Sequence, residues 1–160
     1  MVTLIWRDEV TAEDVRRVEQ VCAATGFFTP AEILMAGELV EARLEEGAAA
    51  GYEFILAADG DAIAGYTCYG AIDGTESAYD LYWIAVDPAR QGGGLGRKLI
   101  EHTETAMRKA GGSRYYAETS STEKYAPTRN FYLRAGFREV ANIADFYRPG
   151  DGKVIFERLL

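Results

Sequence analysis

The sequence predicts a mixed α/β fold: a single domain over residues 1–160, with a mixed β-sheet of six to seven strands and about four flanking helices. Three observations carry that expectation. Two runs rich in β-branched and aromatic residues, 52–58 and 62–69, flank Asp59-Gly60, a strong hairpin signal. Several segments repeat apolar residues at helical spacing. A strand-like run, 78–86, passes through a glycine cluster into one of those helices. The resulting order is a strand, two helices, three strands, a helix, a strand, a helix and two strands. That order suits neither a bundle nor a sandwich.

Each element has its own local reason. Val2 to Trp6 reads as a short strand. Thr11-Ala-Glu-Asp14 reads as a capping box, with Val15, Val18, Val21 and Cys22 as the buried stripe behind it. A second helix opens with Thr29 at the N-cap, Pro30 at the first helical position and Glu32 at the third. Ile33, Leu34, Leu39, Val40 and Leu44 form its expected apolar side, and Gly47 its stop. After the hairpin and the strand 78–86 comes a helix from about Leu95 to Ala110. Its expected stripe is Leu95, Leu99, Ala106 and Met107; Arg108, Lys109 and Gly111-Gly112 close it. Arg114 to Thr119 is a strand, and a helix through Phe131–Ala135 ends at Gly136. Two last strands, 137–147 and 154–159, turn at Pro149-Gly150-Asp151-Gly152.

Composition narrows the function. The chain has 160 residues, and a chain of that size buries about 70% of its unfolded surface, enough for a core without staples. Two Cys, Cys22 and Cys68, stand outside any paired motif and read as reduced, buried thiols. With 25 acidic against 17 basic residues the net charge is −8, the wrong sign for a nucleic-acid partner. No apolar run approaches the roughly 20 residues that span a bilayer. The early Arg7 argues against a signal peptide, so a cytoplasmic location is expected, with no membrane partner. His102 is the only histidine, far from any Cys or carboxylate cluster, so no metal site and no Ser-His-Asp hydrolase is expected.

The chemistry-bearing motif is Gln91-Gly92-Gly93-Gly94-Leu95-Gly96 between strand and helix. Such a turn offers backbone N–H groups at the positive end of a helix dipole, where an anion can approach closely. Arg90, Arg97 and Lys98 flank it. A P-loop is excluded because no Ser or Thr follows Lys98; a dinucleotide fingerprint is excluded because Arg97 or Leu99 stands where its third glycine belongs. The pattern [QR]-x-x-G-x-[GA] is met by Gln91, Gly94 and Gly96. Together with Leu81-Tyr-Trp-Ile-Ala-Val-Asp-Pro88 upstream and Asn130-Phe-Tyr-Leu-Arg-Ala-Gly-Phe137 downstream, it resembles the GNAT superfamily of N-acetyltransferases. The resemblance spans most of the chain and is sharpest over 78–140. It implies the acyl-CoA N-acyltransferase fold and acetyl-CoA as acyl-donor cosubstrate.

It also implies site residues. The turn, Gln91, Gly92, Gly93, Gly94, Leu95, Gly96 and Arg97, would hold the CoA pyrophosphate. The backbone of Ile84 and Val86 would pair with the pantetheine arm, and an N–H near Ala85 would serve the oxyanion. Tyr132, in the segment similar to the family's F-Y-x-x-x-G-F, would protonate the leaving thiolate; a packing Tyr is the alternative. Asp80, eleven residues before Gln91, stands where several members carry a catalytic Glu, and Glu118 is a second candidate base whose alternative is an ion pair. Glu53 is a third. The family's Asn and Ala, seven and four residues before the helix Tyr, are here Tyr125 and Thr128. The hydroxyl-rich stretch 118–125 is left to replace the Asn contact. Gly26–Thr29 and Asp145-Phe146-Tyr147 would shape the acceptor pocket, with Phe28, Tyr82 and Tyr147 against a small-molecule or peptide amine. A non-catalytic acyl-CoA-binding domain and a transferase for longer acyl groups stay open, as does a homodimer.

Overall fold

The structure, a computed structural model, describes residues 3–160, so the Val2 end of the first expected strand lies outside the described residues. The elements run β1 (Ile5–Arg7), α1 (Ala12–Thr25), α2 (Pro30–Glu46), β2 (Glu53–Asp59), β3 (Ala62–Ala71) and β4 (Ala78–Val86). They continue as α3 (Leu95–Lys109), β5 (Arg114–Ser120), α4 (Ala126–Arg134), β6 (Arg138–Arg148) and β7 (Asp151–Leu159). The strands form one seven-stranded sheet in the order β1-β2-β3-β4-β5-β7-β6. β4 and β5 are parallel while β1–β2, β2–β3, β5–β7 and β6–β7 are antiparallel, which makes the sheet mixed. No helix among the described residues is long and apolar enough to cross a membrane.

The chain divides into two compact units. The first comprises the stretch up to Gly70 together with Trp83–Thr103; the second comprises Ala71–Tyr82 and Glu104–Leu160.

In the first unit, α1 begins where the Asp14 carboxylate accepts the Thr11 N–H at 2.8 Å. That carboxylate is fully buried and also accepts from Arg7 at 2.9 and 3.0 Å and from Arg17 at 3.2 Å. Burial alone would push it up, but the Arg7 fork, the Thr11 N–H and Arg17 outweigh burial and hold it below the usual carboxylate range. Val18, Val21 and Cys22 face the core with Val40, Phe54, Leu56 and Tyr66. Burial pushes the Cys22 thiol up to about 11, and its Sγ lies 3.3 Å from the Tyr66 hydroxyl.

The expected apolar side of α2 holds in part: Val40 is buried and Ile33 and Leu39 pack against the core. Ala36, Gly37 and Val40 are buried, whereas Leu34 and Leu44 are 58% and 43% exposed. A Cβ at Gly37 would meet the Glu19 side chain of α1, while Leu34 and Leu44 lie at the edges of the expected side and turn outward. The hairpin loop is Gly60-Asp61, one residue beyond the expected pair, because Asp59 still pairs with Ala62. Between β3 and the end of β4, Gly65 leaves room for the Ala85 carbonyl and Leu99 Cδ1, each 3.0 Å from a would-be Cβ. Gly65→Ala should therefore lower stability by about 1–3 kcal/mol, read by urea denaturation with CD.

In the second unit, the β4–β5 ladder runs from Ala78 opposite Arg114 to Leu81 opposite Ala117, and β5 pairs with β7 from Arg114–Leu159 to Ser120–Lys153. Leu81, Met107, Tyr115, Ala117, Phe137 and Phe156 are buried. Glu104 on α3 is buried too. It accepts from the Tyr115 hydroxyl at 2.7 Å, from Arg158 Nε and from Arg108 at 3.3 Å, tying the helix to β5 and β7. The expected α3 stripe is amended accordingly: Leu95 and Leu99 are buried, Thr103 and Glu104 join them, and Ala106 is only half-buried.

Candidate active site

Within the first unit, β4 leads through a single 3-10 turn, Pro88–Arg90, into the glycine turn. Gly92 and Gly94 hold φ of 85° and 78°, in the left-handed region, and a Cβ at either would meet nothing within 4 Å. Neither position is packed against another part of the chain. The first helical bond is Lys98 N–H to Gly94 C=O at 3.1 Å, so the N–H groups ahead of it have no intrahelical acceptor. Gln91 Nε2 donates to the Val86 carbonyl at 3.4 Å and anchors the loop to β4. Arg97 is exposed, with Nε 3.4 Å from Glu101. Arg90 is committed to an ion pair with Asp59 on β2 and is a brace rather than an anion ligand.

The strand before the loop has directional backbone groups. The Ala85 carbonyl lies beside Gly65, and the Asp87 N–H donates to the Ala64 carbonyl at 2.8 Å. Backbone groups alternate sides along a strand, so Ala85 and Asp87 address β3 while Ile84 and Val86 point their N–H groups the other way. Phe28 is half-buried, its ring edge-on to Trp83 with centroids 5.0 Å apart, and it packs on the core. Glu53 pairs with Arg43 at 3.0 Å. His102 stacks on Trp6, ring centroids 3.9 Å apart.

Within the second unit, the fold brings Asp80, Glu118 and Tyr147 around one residue the sequence reading missed, Lys153. Its Nζ lies 2.8 Å from Glu118 Oε2 and 4.6 Å from the centre of the Phe146 ring. Asp80 makes no hydrogen bond or ion pair among the described residues. Burial first, then repulsion by Glu118, raises its carboxyl above the usual range, and Lys153 opposes that shift. Burial raises Tyr147 as well, with Glu118 and Asp151 adding and Lys153 opposing. Tyr82 is 42% exposed on β4. Lys153 has no sequence signature of its own; only the β5–β7 register, which sets it opposite Ser120, places it near Glu118.

Tyr132 on α4 is buried, its ring centroid 5.1 Å from Phe137 and 5.5 Å from Phe156. Burial raises its phenol, which keeps its proton throughout the neutral range. Its hydroxyl finds no hydrogen-bond partner among the described residues.

The hydroxyls expected to replace the family's Asn are already engaged. Ser120 donates to Asp151 at 2.5 Å and lies 2.8 Å from the Thr122 hydroxyl, while Ser121 accepts the Gly152 N–H at 2.8 Å. Arg129 clamps the Ser120 and Thr122 carbonyls, each at 2.8 Å. These groups fasten the end of β5 to the β6–β7 turn. Asp145 does similar work: its carboxylate accepts the Gly150 N–H at 2.7 Å, with φ of 56°. Among the described residues no three His, Cys, Asp or Glu side chains gather as metal ligands.

A glycine turn opening a helix from a strand of this mixed seven-stranded sheet fits an acyl-CoA N-acyltransferase architecture, and comparison with known proteins agrees. Residues 50–139 match the model of the GNAT acetyltransferase domain. A structure from Desulfovibrio desulfuricans, described as a GNAT-family acetyltransferase, is 48% identical; the match covers 98% of this chain and 99% of that one, with a TM-score of 0.96. An aminoglycoside 6'-N-acetyltransferase bound to coenzyme A shares the fold at 14% identity, TM-score 0.76, covering 97% and 96%. So does the PaiA N-acetyltransferase of Thermoplasma acidophilum with coenzyme A, at 16% identity, TM-score 0.74 and 99% of both chains. No protein of curated function matches this sequence. The chain belongs to the GNAT acetyltransferase family.

Proposed function

We propose that this protein is an acetyl-CoA-dependent N-acetyltransferase acting on a primary amine of a small molecule or peptide by direct attack. The observation that carries the reading is the open, positive-φ turn Gln91–Gly96 at the start of α3 in a chain of this family. Coenzyme A bound to relatives of the same fold supports it. When bound, acetyl-CoA supplies an acyl carbon activated as a thioester.

The chain's residues then divide the work. The N–H groups of Gly92 to Gly96 and the α3 dipole receive the pyrophosphate, with Arg97 at its edge. The N–H groups of Ile84 and Val86 face away from β3, free to hold the pantetheine arm and the carbonyl oxygen as it gains charge. An alkyl amine arrives protonated, with a pKa near about 10 like that of Lys. Asp80 takes that proton, directly or through one water, and its raised pKa makes it a stronger base than an exposed Asp. With acetyl-CoA bound, N–C bond formation would be followed by C–S cleavage; Tyr132 would give its proton to the departing sulfur, and the second proton shed by the nitrogen would restore the Tyr132 phenol through solvent. Tyr82 and Tyr147 contribute aromatic surface for the acceptor.

Gly94→Glu tests the reading. A side chain at φ of 78° strains the turn and its carboxylate opposes the pyrophosphate. CoA affinity by calorimetry should fall at least about a hundredfold, roughly 2.7 kcal/mol, with an unchanged CD spectrum. Unaltered affinity would remove the basis for the transferase. A CoA-release screen against pooled amines identifies the acceptor.

A further inference from the structure

We propose that Lys153 is the positioning residue of this site: by taking Glu118 as its counter-ion beneath the Phe146 ring, it leaves Asp80 as the unpaired carboxylate poised to receive a proton. The proposal deepens the transferase reading, since it distributes roles between the two candidate bases.

The geometry behind it is specific. On β6 and β7 the register runs from Ile143 opposite Lys153 to Arg148 opposite Asp151, so residues 144–147 bulge against Gly152 alone. That bulge brings Phe146 to the ammonium, 4.6 Å from ring centre to Nζ, while Glu118 pairs with it at 2.8 Å. A would-be Cβ at Gly152 would sit 2.9 Å from the Ile143 carbonyl, so glycine is what permits the close approach. The Lys153 side chain is only 17% exposed against 45% for Glu118, so the cation is the better-buried partner. An ion pair this open contributes little to stability, and its effect falls instead on neighbouring charges.

Asp80 is the neighbour that feels it. From β5 it faces Glu118 and its register partner Tyr116, whose hydroxyl is spent on Glu157 at 2.8 Å. From β7 it faces Lys153; Tyr147 on β6 shares that lysine and Glu118, and Asp151 is occupied by Ser120. Glu118 and Lys153 act on Asp80 with opposite signs. Removing one must move Asp80 one way, removing the other must move it back, and removing both must nearly cancel. A residue with a merely structural role gives no such pattern.

The test is a carboxyl-carbon NMR titration of the full chain, following Asp80 in wild type, Lys153→Met, Glu118→Gln, the double variant and Lys153→Arg. Lys153→Met should raise the Asp80 midpoint by about half a pH unit or more, and Glu118→Gln should lower it by a similar amount. The double variant should return close to wild type, and Lys153→Arg should stay there. With an acceptor in hand, the acidic limb of kcat/KM should follow the same order. A midpoint that ignores Lys153→Met, single variants that shift it in the same direction, or an acidic limb that does not follow the midpoints would each overturn the proposal. If wild type releases no CoA with any amine, the transferase reading falls, while the titration still decides the role of Lys153.

Discussion

Replacing Tyr132 by Phe should cut kcat by about a hundredfold to a thousandfold while leaving CoA affinity within about threefold of wild type. The Tyr132 ring lies among Phe131, Phe137 and Phe156, and phenylalanine preserves every one of those contacts. Folding therefore has little to lose, and the hydroxyl, which has no partner among the described residues, leaves no protein group orphaned when it goes. What disappears is the proton available to the departing sulfur. Burial holds that proton on the phenol across neutral pH, so in wild type the donor is always loaded. Stopped-flow turnover beside calorimetric CoA binding separates the outcomes. An equal loss in both would make Tyr132 a cofactor-binding residue; no loss in either would leave it a core aromatic.

Much of this frame is legible in the sequence, and the reasons are local ones. β4 spans Ala78–Val86, the bounds its alternation and the following Asp87-Pro88 imply. Thr29, Pro30 and Glu32 fix the start of α2 because a cap depends on three neighbouring residues, and the Glu32 N–H does reach the Thr29 hydroxyl at 3.2 Å. What stays hidden depends on tertiary partners. Helical periodicity gives α2 its apolar side through Ile33, Leu39 and Val40, but does not reveal that Ala36 and Gly37 are buried beside it while Leu34 and Leu44 are exposed. Arg90 sits beside the glycine turn in sequence and yet answers to Asp59 on a distant strand. Lys153 meets Glu118 only through a register 35 residues apart in sequence, and the bulge at 144–147 that brings Phe146 over it follows from Gly152 and Asp145. The motif positions were visible; the electrostatic company of Asp80 was not.

Glu104→Ala should be the most destabilising single change in the second unit, costing about 3–5 kcal/mol and lowering the melting temperature by about 10 °C or more. Glu104 is buried on α3, and one carboxylate satisfies Tyr115, Arg158 and Arg108 together. Removing it leaves a guanidinium and a buried phenol without their acceptor, which costs more than the pair contributes when intact. Gly136 shares the arrangement: a Cβ there, at φ of 94°, would run into the Arg158 guanidinium, so the arginine has little room to find another partner. Glu104→Gln should lose less than alanine, since an amide oxygen still accepts from Tyr115. Burial and then the bond to Glu104 raise the Tyr115 phenol above its unfolded value. Its contribution is therefore complete below about pH 10 and drains away as pH rises through the folded pKa. Thermal melts of wild type and Tyr115→Phe from pH 7 to 11 check the sign. The wild type should lose stability at the alkaline end and the variant should lose less of it, whereas parallel curves would detach Glu104's network from the fold's alkaline limit.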